Sequence, residues 1–71
     1  MGNTVLLHER ETNGLTVEMY AEIHACDKAD ITLLIIEEAG TGFALRTRNG
    51  AEALEMFYHP YLYDTRGGNH D

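Results

Sequence analysis

The fold of this chain is decided by its most apolar stretch, Ile31-Thr32-Leu33-Leu34-Ile35-Ile36-Glu37-Glu38. The first six residues are all Ile, Leu or Thr, types that suit the pleated surface of a β-sheet. The glutamate pair and the turn-forming segment 39–42 close the run before it is long enough for a helix, so the pattern predicts a strand. Because strand side chains alternate, Leu34 and Ile36 would point away from the face that carries the other apolar residues. Both faces of this strand would then need cover.

Three further segments have the composition of strands, and two of them alternate apolar and polar residues cleanly. The three segments span residues 4–11, 15–24 and 43–48. Together with the central run they are predicted to form a four-stranded antiparallel β-meander.

The turn between the first two strands has two alternative registers. A two-residue turn of Asn13 and Gly14 would bring charge to the inner face at Arg10. A three-residue turn, with Gly14 in the left-handed region, would instead place Leu7 opposite Met19 on that face. Because a slip of one residue turns the whole strand over, the apolar match favours the three-residue turn. The charged rim expected around the outer face is then His8, Arg10, Glu18, Arg46 and Arg48.

One helix is predicted after the fourth strand. Asn49 is a favoured N-cap residue, and Glu52 stands at the third helical position, where it would complete a capping box. Good helix formers follow, with an apolar stripe on one side and glutamates on the other. Pro60 disfavours helical geometry in the residue before it, so the helix should end near Tyr58 or His59.

These elements predict an α+β fold, a four-stranded antiparallel β-meander with one C-terminal helix packed on one face. We expect a single compact domain over residues 1–64, in which residues 61–63 continue as an extended segment docked on the sheet. Residues 65–71 are expected to form a disordered tail.

Composition limits the function. The formal net charge is −7, from 12 acidic and 5 basic residues, and phosphate backbones are bound by neutralising them with Lys and Arg, so direct nucleic-acid binding is disfavoured. The chain contains no serine, which excludes serine-nucleophile catalysis.

Its longest apolar run is far short of the roughly 18 residues of a membrane span, and a single cysteine fits a reducing compartment. We therefore expect a soluble cytoplasmic protein that does not enter membranes.

A chain of 71 residues buries a modest fraction of its surface and needs reinforcement. One cysteine cannot form an internal disulfide. The segment His24-Ala25-Cys26-Asp27 offers three metal ligands, but a structural zinc site takes four, and no nearby residue completes the set. We therefore expect no metal and no cofactor, and oligomerisation becomes the default reinforcement.

Paired carboxylates give no sign of an enzyme. Glu37 and Glu38 are adjacent, so they would point to opposite faces of a strand. Glu52 and Glu55 belong to the solvated side of the helix. Acid and base catalysis needs one carboxyl in an apolar site that raises its pKa, and the pattern offers none. We expect no catalytic activity.

The most unusual stretch is Tyr58-His59-Pro60-Tyr61-Leu62-Tyr63. Tyr and His combine an apolar body with a polar tip and are enriched at interfaces for that reason. Two interpretations remain open. The stretch could fold back over the sheet and complete the small core. Alternatively, it could present a partner-binding surface that consists of Tyr58, His59, Tyr61 and Tyr63.

A resemblance to known proteins lies in the eleven-residue run Ala53-Leu54-Glu55-Met56-Phe57-Tyr58-His59-Pro60-Tyr61-Leu62-Tyr63. The run resembles the ending of small uncharacterised proteins from actinobacteria and their phages, in which an Ala-Leu pair, a Phe, a His-Pro and further aromatic residues recur. The resemblance implies no activity. It implies a phage-encoded small protein, and many such proteins act by binding a host protein.

The outer face of the predicted sheet, opposite the helix, would carry an apolar patch of Leu6, Tyr20, Leu34, Ile36 and Ala44. Apolar patches on small domains usually mark interfaces. We therefore predict a non-enzymatic acidic interaction module that forms a homodimer through this face or a strand edge and could also bind a host protein. The alternative is a DNA mimic that occupies the basic groove of a nucleic-acid-binding protein. A mimic needs carboxylates on one surface, whereas the predicted fold spreads them over both sheet faces.

Overall fold

The computed structural model describes residues 3–24 and 28–64. Its elements are β1 (Asn3–Thr12), β2 (Leu15–His24), β3 (Lys28–Glu37), β4 (Gly42–Thr47), α1 (Gly50–Tyr58) and a 3-10 helix (Pro60–Tyr63). The strands form one antiparallel sheet in the order β1-β2-β3-β4. The predicted α+β meander with a C-terminal helix is confirmed, and the tail expected over residues 65–71 lies outside the described residues.

The core lies between the inner face of the sheet and α1. Along each strand every second side chain points inward, and the most deeply buried of these are Val17, Leu33 and Ile35. The hydrophobic core cluster consists of Val17, Met19, Leu33, Ile35, Leu45, Ala53, Met56 and Phe57. Strands β2 and β3 supply the centre of this core because each has a paired strand on both sides.

The first hairpin turns through two residues, so the three-residue turn expected from the sequence is wrong. Asn13 and Gly14 have φ of 48° and 78°, and Thr12 pairs directly with Leu15. Positive φ at both central residues is the geometry of a type I′ turn, whose twist matches that of the flanking strands. The turn therefore sets the register here, and Arg10 pairs with Val17 on the inner face.

A β-bulge at Leu7 returns the hairpin to the expected register at its far end. The pairing shifts between Leu6 and His8, and Leu6 then lies opposite Tyr20 as predicted. A bulge inserts one extra residue in one strand, so it can absorb a one-residue mismatch. The charged rim expected from the sequence is corrected as a result: His8 and Arg10 lie on the inner face, while Glu9 and Glu11 lie on the outer one.

Arg10 is accommodated on the inner face because it binds the C-terminal end of α1. Its Nε donates to the carbonyl oxygen of Phe57 at 2.8 Å, and its Nη2 donates to that of Tyr58 at 3.1 Å. The guanidinium carbon also lies 5.6 Å from the centre of each of those two aromatic rings. The last turn of α1 has no basic residue of its own, so β1 supplies the positive charge that stabilises a helix C-terminus.

The predicted N-cap at Asn49 is confirmed. The second half of the capping box is indirect, because the Thr47 hydroxyl lies between the Asn49 N–H and the Glu52 carboxylate. The backbone N–H of Glu52 donates to Oδ1 of Asn49 at 3.0 Å. The backbone N–H of Asn49 donates to the hydroxyl of Thr47 at 3.0 Å, and that hydroxyl donates to the Glu52 carboxylate at 2.6 Å. The buried Thr47 thus fixes the start of the helix to the end of β4.

The helix ends at Tyr58, as Pro60 predicts, but the segment that follows is not extended. Residues Pro60–Tyr63 form a 3-10 helix in which the Leu62 N–H donates to the His59 carbonyl at 3.1 Å. Proline is disfavoured inside a helix, yet its fixed φ suits the first position of a new one. The extended segment was expected because proline ends one helix, but the same residue also begins the next.

Replacement of Gly42 by Ala should destabilise the fold strongly. A Cβ at this position would meet the backbone carbonyl oxygen of Ile35, which cannot move without breaking the sheet. We expect a loss of about 2 kcal/mol or more in the free energy of unfolding, measured by urea denaturation. Gly50→Ala is the matched control, because its new Cβ would meet nothing within 4 Å apart from its chain neighbours and the nearby backbone of its own helix. It should be neutral or stabilise by up to about 1 kcal/mol. Equal losses in the two variants would contradict this prediction.

Replacement of Arg10 by Leu should destabilise the helix that Arg10 caps. The change leaves the carbonyl groups of Phe57 and Tyr58 without their charged donor, and we expect a loss of about 1.5–3 kcal/mol in the free energy of unfolding. Arg10→Lys is the control. It keeps the positive charge but not the bidentate hydrogen bonding, so its loss in the free energy of unfolding should be smaller than that of the Leu variant. A stable Leu variant would show that the cap contributes nothing.

Candidate interaction surface

The outer face of the sheet keeps a patch of large apolar side chains in contact with solvent. Leu34 and Ile36 project from the central strand β3 and are 37% and 41% exposed, and Leu6 on β1 is 48% exposed. Leu34 pairs with Glu18 on one side and with Ala44 on the other. The structure thus places the predicted residues Leu6, Tyr20, Leu34, Ile36 and Ala44 on one face, and we call them the outer patch.

A shallow open depression of about 250 Å³ lies within this face. Its walls are formed by Thr4, Tyr20, Glu22, Thr32 and Leu34. The Tyr20 hydroxyl donates to Oε1 of Glu18 at 3.0 Å, and this hydrogen bond, with smaller contributions from desolvation and nearby carboxylates, raises the pKa of Tyr20. Tyr20 is therefore a neutral side chain with an apolar body, suited to contact with a second protein.

Charge is divided unevenly across the outer face. The register brings Glu9 and Glu11 of β1 onto this face beside Glu18 and Glu22 of β2. The opposite edge, β4, carries Arg46 on this face at the level of Thr32. Within residues 3–24 and 28–64, Arg46 is in no ion pair. One half of the face is therefore acidic, and the β4 edge is basic.

Glu22, His24 and Asp30 form a cluster at one end of the outer face. Their ligand atoms all lie within 4.8 Å of one another, because Glu22 of β2 pairs directly with Asp30 of β3. From the sequence, His24 was grouped with Cys26 and Asp27, which lie outside the described residues. The register between β2 and β3 is the signal that would have identified this cluster, because it pairs Glu22 with Asp30.

The centre of this cluster is already an ion-pair network. Asp30 accepts from Arg48 Nε through Oδ1 at 2.7 Å, and its Oδ2 lies 3.1 Å from Nε2 of His24. The Arg48 hydrogen bond, followed by that of His24, holds the pKa of Asp30 below its ordinary value. Three ligand atoms are fewer than the four of a structural zinc site, and Arg48 already supplies positive charge to Asp30.

The C-terminal aromatic residues are divided between the core and the surface. Pro60 is buried, and Tyr63 packs against the core, where its hydroxyl donates to Oε1 of Glu55 at 2.6 Å, which raises the pKa of Tyr63 to about 12. The Tyr61 hydroxyl donates to Oε2 of Glu37 at 2.8 Å. Tyr58 and His59 are exposed beside them. The stretch thus folds back on the sheet while several of its side chains keep exposed surface.

The inner face is also incompletely covered. Val5, Leu7 and Ile23 stay nearly half exposed at the end of the sheet that α1 does not reach. This surface was not predicted from the sequence, because alternation places these residues on the face that the helix was expected to cover. These residues lie at the open end and free edge of the sheet, whereas Leu34 lies at its centre.

The Asp30 network gives a pH-dependent contribution to stability. Because the pKa of Asp30 is lowered from 3.8, its contribution is present at neutral pH and is lost as the pH falls through the lowered value. We expect Asp30→Asn to be less stable than the wild type at neutral pH and the difference to disappear in acid, measured by urea denaturation across pH. Glu11→Gln removes one exposed charge without such hydrogen bonds, and an equal pH dependence in that control would contradict the assignment.

No helix in the described part of the chain is long and apolar enough to cross a membrane. The outer patch lies on a small sheet that is packed on one side by a helix, and no described element covers its other side. No family model, curated protein or solved structure matches the chain.

Proposed function

We propose that this chain is a non-enzymatic, cytoplasmic protein–protein interaction module that self-associates through the outer face of its sheet. The observation that carries the proposal is the asymmetry of β3. Leu33 and Ile35 are 0% and 1% exposed, whereas Leu34 and Ile36, on the same strand, remain 37% and 41% exposed. Covering them would remove apolar surface from water at a gain of about 25 cal/mol per Å².

The face is favoured over a strand edge as the contact surface. β1 is a long edge strand, and an unpaired edge can bind another strand through its backbone. However, the bulge at Leu7 interrupts its regular backbone spacing, and bulges are one of the ways in which proteins block edge pairing. β4, the other edge, has only six residues.

A second candidate function is supported by the acidic half of the outer face. Glu9, Glu11, Glu18 and Glu22 lie on one side of the sheet, so the acidic groups are more concentrated than the sequence analysis assumed. Such a surface suits a DNA mimic that binds a basic groove on a nucleic-acid-binding protein. A mimic would bind its target with strong salt dependence, whereas association through the apolar outer patch would be much less sensitive to salt.

Leu34→Glu should abolish self-association. The change would place an unpaired carboxylate within the apolar contact, at a cost of at least about 2 kcal/mol in dimer formation. We expect the wild type to sediment as a dimer at micromolar concentration and the variant as a monomer with an unchanged circular dichroism spectrum.

Leu62→Glu is the matched control, since Leu62 is 73% exposed on the 3-10 helix, away from the outer patch. This variant should remain a dimer. A wild type that sediments as a monomer would refute the proposal. Dissociation by Leu62→Glu alone would assign the interface to the C-terminal aromatic residues instead.

A further inference from the structure

We propose that two copies pack outer face to outer face about a two-fold axis that runs parallel to the strands and over β3. The inference rests on the proposed function, and it names the partner, a second copy of this chain, and the arrangement of the two. In a symmetric dimer, residues on the axis contact their own equivalents. Leu34 and Ile36 would therefore meet Leu34 and Ile36 of the second copy.

The geometry of sheet packing leaves two orientations of the axis. Two sheets packed face to face keep their strand directions within about 30° of each other. A two-fold axis between the faces meets this condition only if it runs nearly parallel or nearly perpendicular to the strands. An axis at an intermediate angle would set the strands of one copy at a large angle to those of the other. The distribution of charge on the outer face discriminates between the two.

An axis parallel to the strands places β2 of one copy over β4 of the other. Both strands are direct neighbours of β3, so each lies about 4.8 Å from it. Tyr20 and Arg46 both pair with Thr32, so they stand at the same height along the sheet. Arg46 would thus lie over Tyr20 of the second copy, between Glu18 and Glu22 of that copy, and both cation–π contact and charge attraction favour this position.

An axis perpendicular to the strands would instead stack β2 on β2. With Leu34 at the centre, Glu18 would face Glu18 of the second copy, because Glu18 pairs with Leu34. Like charges placed opposite one another at an interface are unfavourable. Arg46 would lie over the second copy's β4, which has no carboxylate on this face. Asp30 would also meet its equivalent on the parallel axis, but each Asp30 is already paired with Arg48. For a contact centred on Leu34, the charge pattern therefore favours the parallel axis.

The available area indicates a weak dimer. With the axis over β3, only β2, β3 and the six-residue β4 of one copy lie over the other, and strands about 4.8 Å apart then give an overlap of roughly 400 Å², about half of the roughly 800 Å² per partner of a standard interface. In a contact of this size the charge pairs at its margin influence the dissociation constant appreciably. Charge reversal at those margins is therefore the direct test.

Arg46→Glu and Glu18→Arg should each weaken the dimer by about tenfold or more, since each reverses two symmetric attractions. The double variant Arg46→Glu/Glu18→Arg should have a dimer dissociation constant close to that of the wild type, because it recreates the opposite charges. Sedimentation equilibrium at low salt measures the dissociation constants of the three variants and the wild type. The differences between variants should shrink at high salt.

The outcomes separate this arrangement from the proposed function. If the wild type is a dimer, Leu34→Glu dissociates it, and Arg46→Glu has no effect, the outer face is the interface but the parallel axis is wrong. If both single variants weaken the dimer and the double variant does not recover, the direct pairing of the two positions is refuted. If the wild type is a monomer, the proposed function itself fails.

Discussion

The structure depends on one constraint: its central strand is apolar on both sides, and the described chain has one nine-residue helix to cover it. The helix is about 14 Å long, whereas a ten-residue strand extends about 33 Å. It seals Leu33 and Ile35 beneath it but leaves Leu34 and Ile36 open on the other side. The exposed outer patch and the proposed self-association follow because the described residues place no second layer over that side of the sheet.

Sequence reasoning succeeded where a feature is determined by its immediate neighbours in the chain. The bounds of β2, the N-cap at Asn49 and the end of the helix before Pro60 all lie where they were predicted. Each depends on alternation, a capping side chain or the geometry of proline, and such signals act over a few residues. The exposed position of Leu34 was predictable for the same reason, because alternation along a strand assigns each side chain to a face.

The register of the first hairpin could not be predicted in the same way. The apolar match argued against an inward Arg10, and that argument did not consider what else Arg10 could contact. Its partners are carbonyl groups 47 and 48 residues further along the chain, and only the folded structure brings them together. A bulge at Leu7 then reconciles the type I′ turn with apolar pairing at the far end.

The register error also concealed the charge pattern of the candidate site. Moving Glu9 and Glu11 to the outer face makes one half of that face acidic, and this division gives the second copy a preferred orientation. The shared face of the outer-patch residues was predicted correctly, because it depends on the registers of β2, β3 and β4 and on one pair from β1. The charges around it depend on the exact residue at which the first turn begins, which composition alone does not fix.

The central claim is that the outer patch contacts a second copy of the chain. Nuclear Overhauser effects in a dimer of one ¹³C-labelled and one unlabelled copy measure such contacts directly. The account predicts cross-copy effects from the methyl groups of Leu34 and Ile36 to the same residues of the unlabelled copy. Cross-copy effects confined to Val5 and Ile23 on the inner face, or none at any concentration, would contradict it.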